Sequence, residues 1–326
     1  MKKTIKSLAC IALVIALIAS LAGCAKINYV TNGAIKAINE VKSGDWLNQG
    51  EEGEEGGDSE EDKIVIDELT PGTYGGVEFK TVDDVAKYYK EAYDYTKSLT
   101  AEYKTEDGST ATYYKLLGDE NMEIGDVMID GSANAVVNKL VPSIVSGMFK
   151  PSTYGLVPCY NRDPNLDNNG EDEHKKADHD FKTTEFSGED ILAANVTDNG
   201  DGTITLVIQP KAAEMSTRGD DSQGRFFEVL GDISGVVADI KQVSFTQGTP
   251  EENIRVIYKG GTGTIKIDTK TKEVVEADYV METTVKVTHA SIAVIKDKSA
   301  ELTIKYINHY PATDEYLKSS KGITRK

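Results

Sequence analysis

The feature that most constrains the fold is a 17-residue stretch near the C-terminus, Glu273 to His289, in which apolar and polar side chains alternate. Its apolar positions are Val275, Ala277, Tyr279, Met281, Val285 and Val287. Its polar positions are Glu276, Asp278, Glu282, Thr284, Lys286 and Thr288. This period of two predicts a β-strand with one buried and one wet face. At ~3.3 Å per residue the strand extends roughly 55 Å, which implies a strongly twisted or curved sheet.

Shorter strand patterns surround this stretch, at residues 254–258, 264–268, 291–296 and 299–306. Their connections are too short for crossover helices, so we expect consecutive strands to pair antiparallel. Two hairpins are predicted earlier in the chain. One joins residues 101–105 to 110–116 through the turn 106–109, and the other joins Val196 to residues 203–208 through the turn 198–202.

Three segments show the apolar spacing of an amphipathic helix. The first carries Val82, Val85, Tyr88, Tyr89, Ala92, Tyr95 and Leu99. The second carries Val137, Leu140, Val141, Ile144, Val145 and Met148, with Pro142 expected to kink it. The third carries Phe226, Leu230, Ile233, Val237 and Ile240. The chain is therefore predicted to be an α+β protein, with a long, curved, half-barrel-like antiparallel meander and about three helices packed on one face.

Charge excludes one class of partner. The chain of 326 residues has 36 Lys and Arg against 54 Asp and Glu, a formal net charge of −18. Nucleic acid is held by clustered Lys and Arg, so we expect no nucleic-acid partner. Hydrophobic residues make up 39% of the chain, which is enough for a packed core.

The N-terminus has the organisation of a secretory signal. Three lysines, Lys2, Lys3 and Lys6, precede an apolar run from Leu8 to Leu21. This run is shorter than the about 20 residues that a membrane-spanning helix needs. The following residues, Leu21-Ala22-Gly23-Cys24, resemble the lipobox of bacterial lipoproteins. The resemblance implies that residues 1–23 are removed, that Cys24 is lipidated, and that the protein is anchored outside the cytoplasm to the cell membrane, or to the outer membrane of a diderm host.

Residues 24–62 are expected to tether the folded part to that anchor. Eight of the twelve residues from Glu51 to Asp62 are acidic, and the other four are Gly or Ser. Such a composition cannot bury enough apolar surface to fold. Removal of the signal takes away three lysines and no acid, so the mature charge becomes −21. Residues 63–326 are predicted to form a single α+β domain.

The order of elements from about residue 80 to 310, behind a lipobox, resembles that of the LolA-like and mycobacterial half-barrel lipid-carrier lipoproteins. The resemblance implies a non-enzymatic protein that binds or carries an apolar or amphiphilic ligand on a curved sheet, and it transfers no functional residue. The candidate lining follows from the buried face of the long strand and the second helix: Tyr279, Met281, Val285, Val287, Val137, Leu140, Val141 and Ile144.

A polar loop at residues 160–180 is the candidate metal site. Asn165, Asp167 and Asn169, followed by Gly170, imitate the first half of an EF-hand calcium loop, but Lys176 stands where the closing Glu belongs. Asp163, Asp172 and Asp178 could instead complete an irregular Ca²⁺ site, and a solvated loop without a metal is the alternative. His174 and His179 lie five residues apart, which does not suit one helical zinc face. We therefore expect no cofactor, with Ca²⁺ as the alternative.

The remaining motifs favour a binding protein over an enzyme. Cys159 lacks the glycine-rich turn or basic neighbours that activate a thiol, and the chain contains no nucleophile elbow, zinc-protease or phosphate-loop motif. A tyrosine-rich region suggests the first alternative, a surface module that binds carbohydrate or protein. It comprises Tyr88, Tyr89, Tyr93, Tyr95, Tyr103, Tyr113 and Tyr114. A metal-dependent envelope enzyme using the 160–180 loop is the second.

Overall fold

The computed structural model describes residues 62–133, 138, 185–217, 219–227, 229, 243–292 and 295–326. The signal, Cys24, the tether up to residue 61, the 160–180 loop and Cys159 lie outside the described residues. So do the second predicted helix, apart from Asn138, and nearly all of the third. Among the described residues, no helix is both long enough and apolar enough to cross a bilayer.

The described chain is an α+β structure dominated by antiparallel strands, as predicted. The strands are β1 (Gly72–Tyr74), β2 (Val77–Phe79), β3 (Thr100–Thr105), β4 (Thr110–Tyr114), β5 (Asp119–Ile129), β6 (Ser132–Ala133), β7 (Ile191–Asp198), β8 (Thr203–Pro210), β9 (Ala213–Glu214), β10 (Val243–Phe245), β11 (Ile254–Tyr258), β12 (Thr262–Asp268), β13 (Val274–Ile292), β14 (Ile295–Tyr310) and β15 (Ile323–Arg325). The helices are α1 (Val82–Ser98), α2 (Ser222–Phe226), α3 (Pro250–Asn253) and α4 (Asp314–Lys321).

The main sheet has ten strands among the described residues, and β13 is its axis. Along one side β13 pairs with β14, which pairs in turn with β5. Along its other side three short strands pair with it in succession: β12, then β11, then β10. Beyond β12 the sheet continues through β8 to β7, and beyond β11 it continues to β9. The sheet therefore divides near Met281 into two branches that share one long strand.

The two faces of β13 differ as predicted, with one exception. Ala277, Tyr279, Met281, Val285 and Val287 are buried on one face. The prediction for Val275 is wrong, because this side chain is 37% exposed and Val274 is buried instead. The pairing of β12 with β13 shifts by one residue between Lys266 and Ile267. Such a bulge reverses the side to which the next residue points.

The end of the sheet also differs from the prediction. Separate strands at 291–296 and 299–306 were expected, but β13 continues to Ile292 and β14 runs without a break from Ile295 to Tyr310. The β13–β14 register shifts twice near this end, and His289 and Asp297 adopt positive φ angles there. These irregularities interrupt the apolar alternation, so the sequence shows a break that the strand does not have.

The two predicted hairpins and the first helix are confirmed. Helix α1 begins after Thr81, where the Asp84 carboxylate accepts hydrogen bonds from the backbone N–H groups of Lys80 and Thr81. These bonds lower the pKa of Asp84. The helix buries Val85, Tyr89 and Tyr93 against the main sheet. A smaller apolar cluster joins β3, β4 and β15 to α4.

Candidate functional site

The buried face of β13 continues across its neighbours and forms what we call the inner face of the sheet. Register places Tyr306 opposite Met281 and Leu302 opposite Val285, while Val127 of β5 lies opposite Leu302. On the other side of β13, Val256 lies opposite Val285. Side chains of directly paired residues point to the same side of a sheet. The inner face therefore spans at least four strands at this level.

Aromatic rings fill one end of the inner face, which we call the aromatic end. The Phe226 ring lies with its centroid 5.5 Å from that of Tyr279, 5.4 Å from that of Tyr89 and 4.9 Å from that of Phe227. Phe186 stacks on Phe226 at 5.3 Å. All five rings are essentially inaccessible to solvent. This part of the face is a close-packed core.

Glycine makes room for these rings. Gly263 of β12 lies opposite Tyr279 in the register, and a Cβ atom built on it would lie 2.6 Å from Cζ of Phe226. The Phe226 ring thus occupies the space that a side chain would take. Helix α2 is fixed at its start, where the Asp221 carboxylate accepts hydrogen bonds from the backbone N–H groups of Gln223 and Gly224.

The hydroxyl groups at the aromatic end are paired with each other. Tyr89 and Tyr279 place their hydroxyl oxygens 3.0 Å apart, within hydrogen-bonding distance. Burial raises the pKa of both phenols above the ordinary tyrosine value, so both stay protonated. A protonated pair can satisfy one donor and one acceptor without external help.

The other end of the inner face is aliphatic, and we call it the distal end. Its buried residues come from four strands: Val285 and Val287 of β13, Leu302 and Ile304 of β14, Ile254 and Val256 of β11, and Val127 and Ile129 of β5. Side chains of this kind form the walls of sites for apolar ligands as well as ordinary cores.

Three hydroxyl-bearing residues interrupt this apolar surface between the two ends: Thr283, Tyr306 and Tyr258, which is buried opposite Thr283 on β11. Thr283 and Tyr306 are 1% and 8% exposed. Neither the Thr283 Oγ1 atom nor the Tyr306 hydroxyl has a hydrogen-bond partner in the part of the chain that the structure describes. Burial raises the pKa of Tyr306, with further contributions from Tyr258 and Glu120. The Tyr306 hydroxyl is therefore a neutral group that can both donate and accept a hydrogen bond.

A polar margin lies beside Tyr306 on the side away from the distal end. Asn308 and Glu120 are paired in the register one inner-face step from Tyr306, at the level of Tyr279, and both are partly exposed. Helix α4 approaches this margin because the Thr313 N–H donates a 2.8 Å hydrogen bond to the Asp119 carboxylate. Burial raises the pKa of Tyr316 on this helix, and Glu120 and Asp119 add to the rise. The charges that act on both phenols are therefore negative.

The structure brings together half of the predicted lining. Tyr279, Met281, Val285 and Val287 share the inner face, although Tyr279 belongs to the aromatic end. Val137, Leu140, Val141 and Ile144 lie outside the described residues. Asn138, which is described, accepts a 2.7 Å hydrogen bond from the Val127 N–H and donates one to the Asp126 carboxylate. The start of the predicted helix is thus attached to a strand of the distal end.

The structure gives less information on the other candidate sites. Asp163, Asn165, Asp167 and Asn169 lie outside the described residues, and within those residues no group of three or more metal-binding side chains occurs. The 198–202 turn is a hairpin in which the Asp198 carboxylate accepts hydrogen bonds from the Gly200 and Gly75 N–H groups. Of the seven neighbouring tyrosines only Tyr95 is exposed.

Thr283 and Tyr306 were missed in the analysis of the sequence, although one signal was present. Thr283 is a polar residue at a position where the alternation of β13 requires an apolar one. Tyr306 gave no comparable signal, because a tyrosine in a strand is ordinary. Only the register of β13 with β14 shows that both hydroxyls lie on the same face.

Comparisons with known proteins give no relative. No protein-family model matches the chain, and no match was found among curated proteins or solved structures. The resemblance to lipid-carrier lipoproteins therefore stays a prediction, and the inner face is the observation on which a function can be argued.

Proposed function

We propose that this chain is a lipid-anchored, non-enzymatic protein of the bacterial cell envelope that binds an apolar or amphiphilic ligand against the distal end of its inner face. The observation that carries the proposal is a pair of buried hydroxyls beside the aliphatic side chains of the distal end, those of Thr283 and Tyr306, neither of which has a hydrogen-bond partner among the described residues. At the aromatic end, by comparison, the rings of Tyr89 from α1 and Phe226 from α2 pack with that of Tyr279.

The ligand would lie between the sheet and the segment predicted to be helical at 137–148. Val285 and Val287 would form one wall, and the sequence predicts the other wall from Val137, Leu140, Val141 and Ile144, which lie outside the described residues. The contact of Asn138 with Val127 supports it, because it attaches the start of the segment to β5. An apolar stripe facing an apolar strand face is the usual construction of such a site.

A surface module for carbohydrate or protein finds less support. That alternative needs exposed rings, but Tyr88, Tyr103, Tyr113 and Tyr114 are each at most 7% exposed and pack in the two apolar clusters or beside them. A metal-dependent enzyme has no supporting observation among the described residues.

Native mass spectrometry of the full chain, purified from membranes in a mild detergent, tests the proposal. We expect a non-covalently bound lipid that is released on collisional activation, and we expect Val285→Phe to lower its occupancy by filling the site. Val275→Phe is the matched control, because it makes the same change in the same strand on the exposed face. A wild-type protein without bound lipid, or equal losses in both variants, would contradict the proposal.

The anchor is tested separately. Cys24→Ala removes the thiol that lipoprotein processing would acylate, so the variant should incorporate no labelled palmitate and should keep residues 1–23. Cys159→Ala serves as the control and should be labelled like the wild type. Wild-type labelling of Cys24→Ala would disprove lipidation at this residue while leaving the ligand proposal intact.

A further inference from the structure

We infer that the hydroxyl groups of Thr283 and Tyr306 form a seat for one uncharged hydrogen-bonding group of the ligand, such as a hydroxyl or an ester carbonyl of a glyceride. The inference deepens the proposed function and rests on it. It adds the chemical class of the ligand: a neutral amphiphile whose polar group lies at the two hydroxyls and whose acyl chain lies along the distal end.

The two hydroxyl-bearing residues occupy neighbouring positions on the inner face. Tyr306 lies opposite Met281, and Thr283 lies opposite Ile304 in the next pair on the same face. Thr283 and Tyr306 are therefore diagonal neighbours on adjacent antiparallel strands, within reach of a long side chain. A group between them would meet two side chains that each donate or accept a hydrogen bond.

Burial makes the missing partners informative. Tyr306 is more than nine-tenths buried and Thr283 is almost completely buried, yet neither hydroxyl is paired among the described residues. A buried polar group without a partner is unfavourable, and native proteins leave few of them. The Tyr89–Tyr279 pair shows that two buried hydroxyls on this face can satisfy each other.

Charge favours a neutral polar group over an anionic one. Glu120 and Asp119 are the charged residues that influence Tyr306 and Tyr316, and both are acidic. A carboxylate or phosphate at the seat would meet the negative charge of Glu120, which lies one inner-face pair from Tyr306 on the neighbouring strand, and no cation among the described residues acts on the Tyr306 phenol. A hydroxyl or an ester has no such penalty.

The apolar neighbours fix the direction of the acyl chain. From Thr283 the inner face of β13 continues through Val285 to Val287, and that of β14 continues from Tyr306 through Ile304 to Leu302. In the opposite direction, Tyr279 and Phe226 already fill the space. An acyl chain with its polar group at the seat therefore extends toward Val287.

The test is native mass spectrometry of the full chain in mild detergent at pH 8, with 1-palmitoylglycerol or palmitate added at equal concentration. The wild type should bind the glyceride at least about fivefold more tightly than the ionised fatty acid. Tyr306→Phe and the isosteric Thr283→Val should each weaken glyceride binding about tenfold, which is the effect of losing roughly one hydrogen bond. Tyr103→Phe, at a buried tyrosine of the smaller cluster, is the control and should bind like the wild type.

The outcomes separate the two proposals. If the wild type binds neither lipid, the proposed function and the seat both fail. If it binds lipid but Tyr306→Phe and Thr283→Val bind equally well, the seat is wrong and the apolar site remains. Tighter binding of palmitate than of the glyceride would overturn the assignment of a neutral group. Because the two variants lie on different strands, a folding defect in one leaves the other to decide.

Discussion

The aromatic end and the distal end of the inner face share strand β13 but are completed in different ways. At the aromatic end, Phe226 lies over Gly263 and beside Tyr279, and the Tyr279 hydroxyl finds a partner in Tyr89. At the distal end, the aliphatic row beyond Thr283 and Tyr306 leaves both hydroxyls without a partner among the described residues. Strand periodicity alone does not distinguish a filled face from a binding face.

The largest effect is expected from removing the central ring of the aromatic end. Phe226→Ala should lower the free energy of unfolding by about 3–5 kcal/mol, because the ring is completely buried and four other rings surround it. Chemical denaturation of the full chain measures the change. A loss below about 1 kcal/mol would mean that the rings do not form a close-packed core.

Enlarging a side chain should lower the free energy of unfolding by different amounts at the two ends. Gly263→Val should cost about 1–3 kcal/mol, since its Cβ would meet Phe226 and the core has no room to adapt. Val285→Phe should cost less than about 1 kcal/mol, because the new ring takes the volume that the ligand leaves.

The same denaturation measurement, made on protein freed of lipid, compares these two variants. If Val285→Phe destabilises the protein as much as Gly263→Val does, the distal end is filled by protein atoms and the proposed binding site is lost. If Gly263→Val is tolerated and Val285→Phe is not, the unfilled volume lies at the aromatic end and not at the distal end.

Deleting single hydroxyl groups should give the smallest and most specific difference. Tyr279→Phe should lower the free energy of unfolding by about 1 kcal/mol, because it breaks the bond with Tyr89 and leaves that hydroxyl buried and unpaired. Tyr306→Phe should be neutral or slightly stabilising in the lipid-free protein, since its hydroxyl has no partner among the described residues that the change would remove. An equal loss in both variants would indicate that a buried water bonds to Tyr306.

Much of the fold could be predicted because its strongest patterns are local. The spacing from Val82 to Leu99 predicted α1, and the turns at 106–109 and 198–202 predicted two hairpins. The alternation in β13 predicted its buried face from Ala277 to Val287. Each of these follows from a period or from turn chemistry that neighbouring residues carry.

The features that escaped prediction depend on long-range pairing. The bulge that exposes Val275 arises from a register shift against β12, and the uninterrupted course of β14 is hidden by the irregular residues near Asp297. Strand β5 was missed because its apolar residues, such as Met122 and Val127, are separated by a bulge and by many polar side chains.

The candidate site was predictable only in part, for the same reason. Val285 and Val287 could be assigned to a buried face from the sequence, but the grouping of Thr283 with Tyr306 needs the register of two strands. The division of the inner face into two ends needs the position of Phe226, which α2 brings from a separate part of the chain.

A crystal structure of the full chain purified from membranes would show directly whether the distal end holds an amphiphilic ligand. We expect elongated electron density along Val285, Val287 and Leu302, ending in a polar atom within about 3.2 Å of the Tyr306 hydroxyl. Protein side chains packed against all three apolar residues, with only a water molecule bonded to Tyr306, would contradict it.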